Sequence, residues 1–363
     1  MSFRLRDRSR HRGNAEVMIV ARASGLQRRT AVDAIGLVLV GAAIGWTLMV
    51  AGGLTDGAWP IVALYAGSAA AYVAGRAIGA RIPWLLPALV VAVSLWVGWL
   101  SVSDWLRDGR MDQPFGYPNA QAGFFVLTVT GSLMFASVSR RLLPRAVGFV
   151  LALGFAGVVV ISGSVAAVIL LALPAVALAV RAQGLARWFV AGGAILVVLS
   201  LVGTVVMGLR YTPSRSAEFG DGLPSLLTER RVALWSEALD IIEDSPLTGL
   251  GPGSFGLESP TARSDPDARW AHNEFLQLGA ETGVIGLLLL LAVVLWAFVG
   301  LMIGRGHPVT TALAASALAA LAIQASVDYV LRFPGLPLVT AALVGSAVAL
   351  GRTLGAPAER AYA

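Results

Sequence analysis

The sequence predicts an all-α polytopic membrane protein of about ten transmembrane helices, and three observations carry that expectation. Hydrophobic residues fill 57% of the 363 positions and charged residues 13%, with a mean hydropathy of +0.76, whereas soluble chains charge about a quarter of their positions. Charge-free runs long enough to cross a bilayer recur along the chain. The basic residues, 27 in number and all arginine, gather in alternate gaps between those runs. With no cysteine there is no disulfide, thiolate metal site or cysteine nucleophile. With no lysine, Schiff-base chemistry and a P-loop lysine are excluded. Three histidines cannot build a His-rich metal cluster, so no metal or cofactor is expected.

Residues 1–33 form a basic tail with Arg4, Arg6, Arg8, Arg10, Arg12, Arg22, Arg28 and Arg29. The tail reads as an orienting, lipid-facing cytoplasmic segment, and it accounts for the pI near 10.4 without a nucleic-acid partner. The first apolar run is of span length and a second follows at once, so no signal peptide is expected. The runs are 34–53, 58–75, 82–103, 113–139, 146–180, 188–209, 282–304, 308–327 and 333–351. The fifth would be about 50 Å long as one helix, too long for one crossing. It divides at Ser162-Gly163-Ser164 into a helical hairpin, giving ten spans with both termini cytoplasmic. Eighteen arginines then lie on the cytoplasmic side and three (Arg107, Arg110 and Arg332) in short outer loops. Residues 34–208 thus carry spans one to seven, 209–276 one large extracytoplasmic loop, 277–351 spans eight to ten and 352–363 a cytoplasmic tail.

Within the large loop, 228–243 has the period of an amphipathic helix. Val232, Trp235, Leu239 and Ile242 share one face, and Arg230, Arg231, Glu237 and Asp240 fill the rest. Thr228 suits the N-cap and Ser245-Pro246 the stop; the helix is expected at the membrane interface with Trp235 inward. Gly251 to Gly256 spells a GxGxxG pattern, but no strand precedes it and no βαβ unit surrounds it, so it is not a dinucleotide site. Its glycines are expected to let the backbone turn and approach a ligand or a helix. Asp265-Pro266-Asp267 reads as a solvated turn rather than a metal motif. Glu274, Gln277 and Glu281, with Asn273 beside them, form a polar stripe at helical spacing on a segment entering the membrane. Gln324, Asp328 and Arg332 form a second at i, i+4 and i+8. Interhelical hydrogen bonding would explain Gln324, whereas two stripes converging on one outer face point to a shared polar cavity. His272, the one histidine expected outside, reads equally as an interfacial residue or as a functional one at the mouth of the acidic stripe.

Three segments resemble the O-antigen ligase and polymerase family of bacterial membrane glycosyltransferases. One is Arg231-Val-Ala-Leu-Trp235 followed by Pro246-Leu-Thr-Gly249-Leu-Gly251-Pro-Gly253-Ser-Phe255. The second is His272-Asn273-Glu274-Phe275-Leu276 with Glu281-Thr-Gly283 and Gly286; the third is Gly116-Tyr117-Pro118-Asn119-Ala120-Gln121-Ala122-Gly123. Two departures stand out. Ser164-Val165-Ala166 takes the place of the family's frequent Ser-Arg-Gly, removing one expected phosphate contact, and the chain has fewer spans than the commoner twelve.

The resemblance implies a cell-membrane enzyme that moves a glycan from an undecaprenyl-diphosphate carrier to an acceptor hydroxyl, saccharide or lipid-linked, among membrane lipids at the outer face of a bacterial inner membrane. A diphosphate leaving group needs fixed positive charge, and arginine offers a bidentate fork. Arg231 and Arg210 lead as candidates, with Arg215, Arg332 and Arg230 behind. Asn273, Asn119, Trp235, Gly251, Gly253 and Asp328 are expected to shape substrate binding. His272 suits a general base at neutral pH; Glu274 or Glu281 orients it or replaces it. Two rival readings remain at this level: a peptidoglycan polymerase of the shape, elongation, division and sporulation class, and a flippase for lipid-linked saccharides.

Overall fold

The computed structural model describes residues 31–109, 111–211, 229–265, 268–304 and 306–349. Arg215, the N-cap Thr228, Pro266, Asp267, residues 1–30 of the N-terminal tail and the C-terminal tail fall outside the described residues. Helices α1 (Ala31–Ala51), α2 (Ala58–Gly79), α3 (Leu85–Asp108), α4 (Pro118–Val138) and α5 (Leu142–Ile161) follow one another along the chain. Short helices α6 (Val165–Leu170) and α7 (Ala172–Ala177) lead to α8 (Gln183–Leu209). Next come α9 (Glu229–Asp244), α10 (Phe255–Glu258), α11 (Pro260–Ser264), α12 (Glu274–Ile303), α13 (Pro308–Ala325) and α14 (Gly335–Ala349). No strand occurs among the described residues, and the all-α polytopic class stands.

Eight of these helices are long and apolar enough to cross a membrane; α6–α7 and α14 are shorter apolar helices. The ten expected spans therefore correspond to eight span-length helices and two short apolar ones. The break at Ser162-Gly163-Ser164 is where it was expected, with Gly163 at φ 76°. The segment after it is not a continuous span. Pro174 has no N–H to return to Leu170, and the helix pauses at Leu171.

The core is formed by α4 and α13, buried on nearly every face, while the outer helices present bare apolar side chains such as Leu142, Leu153 and Trp188, each more than three-quarters exposed. An aqueous surface would penalise that ring and a bilayer accepts it. Helices α2 and α14 pack through small residues. A Cβ on Gly75 would lie 2.2 Å from the Ala342 carbonyl oxygen, and one on Gly345 2.2 Å from that of Tyr72.

Helix α12 is broken at Gly283, whose φ 72° and ψ 177° suit glycine alone. The break frees backbone groups inside an apolar, span-length helix, and the Pro246–Gly251 loop takes them up. Leu250 N–H donates to Ala280 O and Gly251 N–H to Glu281 O, both at 3.0 Å, while Val284 N–H reaches Pro246 O at 2.8 Å. Trp46 Nε1 from α1 donates to Thr282 O at 2.8 Å. Gly249, at φ 62°, lets the loop lie this close, since a Cβ there would sit 2.4 Å from Ala280 O. The glycine loop is thus a backbone clasp on a broken helix, in line with its expected close approach to a helix.

Candidate active site

Asp328 is the centre of a buried cluster at one end of the bundle. Helix α13 stops at Ala325, and Asp328 follows in the turn before a 3-10 turn at Val330–Arg332. The expected helical stripe of Gln324, Asp328 and Arg332 therefore does not exist as one face; the chain turns between them and sends each to different partners. Gln324 stays in the helix and donates from Nε2 to Asn119 O at 2.8 Å, tying α13 to α4 as interhelical glue.

Five groups converge on the Asp328 carboxylate. Tyr117 OH donates to Oδ1 and Oδ2 at 2.8 and 2.9 Å, and Asn119 Nδ2 to Oδ2 at 2.8 Å. His272 Nδ1 is 3.2 Å from Oδ1, Arg231 Nη2 donates to Oδ2 at 3.4 Å, and the Tyr329 N–H donates to Oδ1 at 2.8 Å. Arg231 Nη1 also donates to Val327 O at 3.1 Å. Burial alone would push the Asp328 carboxyl up. The hydrogen bond to His272, the charges of Arg231 and His272 and the Tyr117 hydroxyl outweigh it and hold the group below the ordinary carboxylate value. Burial first, then the charge of Asp328, pushes the Tyr117 phenol up, so it remains a proton donor. An ionised Asp328 calls for a proton on His272 Nδ1, and in the neutral ring that leaves the lone pair on Nε2.

The backbone presents this histidine under strain. His272 has φ 49°, the one left-handed non-glycine residue among those described. Its carbonyl accepts from Trp235 Nε1 at 3.2 Å, and Trp235 is fully buried in α9, facing inward as its period predicts. Next in the chain, Asn273 caps α12: its Oδ1 accepts from the N–H groups of Phe275 and Leu276 at 3.1 and 3.0 Å, and its Nδ2 donates to Thr204 Oγ1 at 2.9 Å. Glu237 of α9 holds the following segment by accepting from Thr261 Oγ1 at 2.6 Å and from Ser259 Oγ.

The acidic stripe faces elsewhere. Glu274, Gln277 and Glu281 line a cavity of about 440 Å³ together with Arg332, Trp59 and Ser68. Gln277 Nε2 donates to Glu281 Oε1 at 2.9 Å, and its Oε1 accepts from the Ala271 N–H at 3.0 Å. The Arg332 guanidinium stands 3.9 Å from both Glu274 and Glu281 and lies over the Trp270 ring at 3.6 Å. The cavity thus takes residues from both expected stripes, with Arg332 from the second, while Asp328 heads a separate polar centre; ring contacts run from Trp270 through Tyr329 to Tyr117 and His272. Sequence reasoning offered Glu274 or Glu281 to orient the imidazole; the carboxylate on His272 is Asp328 instead, because the turn after α13 swings it across while Arg332 occupies the glutamates.

The structure therefore brings His272, Asp328, Arg231 and Asn119 together and seats Asn273 and Trp235 directly behind them. It places Glu274, Glu281 and Arg332 in the neighbouring cavity. Gly251 belongs to the clasp at φ 99°, and Gly253, at φ 84°, lies against Gly57. Arg210 is exposed at the C-cap of α8. Sequence reasoning passed over Tyr117, Tyr329 and Trp270. Each lies within two residues of one it did select, but aromatic residues at span ends are common enough in membrane proteins to carry no signal of their own.

Fold and site together define a multi-pass membrane protein with a polar reaction-sized site at one end of its bundle. The family model described as O-antigen ligase matches residues 147–291, which bears out the resemblance and supports an O-antigen ligase/polymerase-like function in cell-surface polysaccharide assembly. The match takes in Arg231, Trp235, the glycine clasp, His272, Glu274 and Glu281; Tyr117, Asn119, Asp328 and Arg332 lie outside it. Among curated proteins, none matches the chain.

Proposed function

We propose that this protein transfers a glycan from an undecaprenyl-diphosphate carrier to an acceptor hydroxyl at the outer face of the cell's inner membrane. The observation that carries the reading is the convergence of His272 and Arg231, from two separate parts of the chain, on the buried carboxylate of Asp328 in a third. In this reading 1–33 and 352–363 are cytoplasmic tails, and 209–276 is an extracytoplasmic loop between spans at 34–208 and 277–351.

Asp328 holds the imidazole by Nδ1, and His272 Nε2 takes the proton from the acceptor hydroxyl as its oxygen attacks the anomeric carbon. The new C–O bond forms while the bond from that carbon to the carrier phosphate oxygen breaks, and undecaprenyl diphosphate departs with the electron pair. Arg231, with Arg210 and Arg215 as further contributors, balances the charge growing on the leaving group. Asn119 and Trp235 keep the Asp328–His272 pair in register. Gly251 and Gly253 shape the loop that clasps α12, the helix that Asn273 caps directly after His272. Attack opposite the leaving group inverts the anomeric centre.

The test is surface-glycan profiling in a deletion strain complemented at matched membrane levels with wild type, His272→Ala, His272→Asn or Arg231→Ala. Asparagine tolerates the left-handed backbone, so His272→Asn removes the imidazole with the least disturbance. Loss of a surface glycan with every variant, and build-up of carrier-linked precursor outside, supports transfer at this site. Full complementation by the His272 variants removes the site assignment, and precursor retained on the cytoplasmic face favours transport.

A further inference from the structure

The cavity lined by Glu274, Gln277, Glu281 and Arg332 has no place in the proton transfer at His272, yet it is built like a binding site. Its three α12 side chains are at least nine-tenths buried. Among the described residues, Glu274 Oε1 and Arg332 Nε have no hydrogen-bond partner. A buried carboxylate oxygen and a guanidinium N–H left unmatched cost free energy unless a ligand completes them. The two Arg332–glutamate separations of 3.9 Å are ion-pair contacts too long for hydrogen bonds, so both sides retain capacity for a guest.

The charge on the walls selects that guest. Two glutamates face one arginine, which disfavours a phosphate or diphosphate and suits hydroxyl groups, which donate to carboxylates and accept from guanidinium. Trp59, 58% exposed, stands at the wall and offers a flat apolar face for a ring. Below lies a second cavity of about 950 Å³, overwhelmingly apolar, which shares Leu64, Ser68, Leu290, Leu331 and Pro337 with the first and continues along α2 and α14 to Arg76. Polar head space and apolar tail space thus meet along a common wall.

We infer that the Glu274–Gln277–Glu281–Arg332 cavity and the apolar cavity beneath it form the acceptor subsite, taking the hydroxyl-bearing head and the hydrocarbon anchor of a lipid-linked saccharide. Naming this guest the acceptor rests on the transfer reading above. The chain geometry supports it. Glu274 follows His272 by two residues across the Asn273 cap, and Arg332 follows Asp328 by four across one turn, so a saccharide held by the glutamates adjoins the base. The diphosphate end of the donor belongs with Arg231, on the far side of the Asp328 carboxylate's cluster from the glutamates.

Binding without turnover tests this. The full-length protein in nanodiscs is photolabelled with an alkyl maltoside carrying a diazirine in its tail, and labelled peptides are mapped by mass spectrometry. The expected labels fall on peptides holding Leu64 and Leu290, with dodecyl maltoside competing and dodecyl phosphate not. Glu281→Gln is expected to lower labelling about tenfold, equivalent to about 1.4 kcal/mol. Ser68→Trp, which fills the shared wall from α2 and leaves the glutamates alone, is expected to abolish it with melting close to wild type. Equal competition by dodecyl phosphate, or wild-type labelling in both variants, overturns the assignment. Because no transfer is needed, a negative result in glycan profiling would sink the reaction and leave this binding result to stand or fall separately.

Discussion

At the scale of single residues, the arrangement turns on one carboxylate. Asp328 is 2% exposed and bonded to a guanidinium, an imidazole, a phenol, an amide and a backbone N–H. Removing one member of such a buried set leaves the others uncompensated, and Asp328→Asn is expected to cost about 3–5 kcal/mol in denaturant or thermal melts. The same variant loses the group that fixes the His272 tautomer, so glycan product should fall roughly 10²–10⁴-fold where the protein still accumulates. The pH dependence has a definite sign. The folded Asp328 carboxyl titrates below its unfolded value, so its stabilisation is present above about pH 4 and is lost as pH falls through the lower folded value. Melting of the wild type should therefore drop at acid pH with a component that Asp328→Asn lacks.

Among the elements, α12 and the loop that clasps it decide whether the site holds together. Gly283→Ala would place a Cβ 2.0 Å from the Leu247 carbonyl oxygen and demand a backbone that only glycine adopts. The expected cost exceeds the usual 1–3 kcal/mol, roughly, of local backbone strain, seen as a lowered melting temperature and loss of surface glycan together. Gly41→Ala, on an exposed face of α1 with nothing within 4 Å of the added Cβ, should melt within about 1 kcal/mol of wild type. Helix α9 has a different task. Its inner face seats Trp235 and Arg231, while Glu237 holds Ser259 and Thr261 at the start of α11. Glu237→Ala should expose the 255–265 segment to proteolysis while the bundle itself stays folded, which limited digestion followed by mass spectrometry would show.

Taken as a whole molecule, the fold works because two central helices are wrapped by a ring of apolar ones and α2 closes against α14 through glycine. Gly75→Val would force these two helices apart, since even its Cβ meets Ala342 O at 2.2 Å. It should destabilise the bundle by about 1–3 kcal/mol; Gly45→Val, with nothing within 4 Å, should not. Because α2 also lines both cavities, Gly75→Val is expected to weaken alkyl-maltoside labelling as well. Detergent melts and photolabelling on the same preparations check both effects.

Much of this was legible along the chain because a bilayer leaves few choices. Apolar runs must become helices, since no other open structure satisfies its own backbone in hydrocarbon, and the 3.6 period of Val232, Trp235, Leu239 and Ile242 announced which face of α9 turns inward. The glycines at 249, 251 and 253 signalled turns and close approach from their type alone, whereas the break at Gly283 lay hidden in an apolar run that reads as a continuous span. The pairing of His272 with Asp328 was hidden for the opposite reason. It joins residues 56 apart through a turn that ends α13 at Ala325, three residues before Asp328 and seven before Arg332. Periodicity sees neighbours on one helix and is blind to a bend at its end. For the same reason the sequence showed two acidic and basic stripes but not that Arg332 would leave Asp328 and side with Glu274 and Glu281. Local physics, burial in lipid and backbone satisfaction, determined the helices and their polar ends. Only tertiary packing decided which carboxylate meets the histidine and which two line the cavity, because those contacts depend on how loops between helices close.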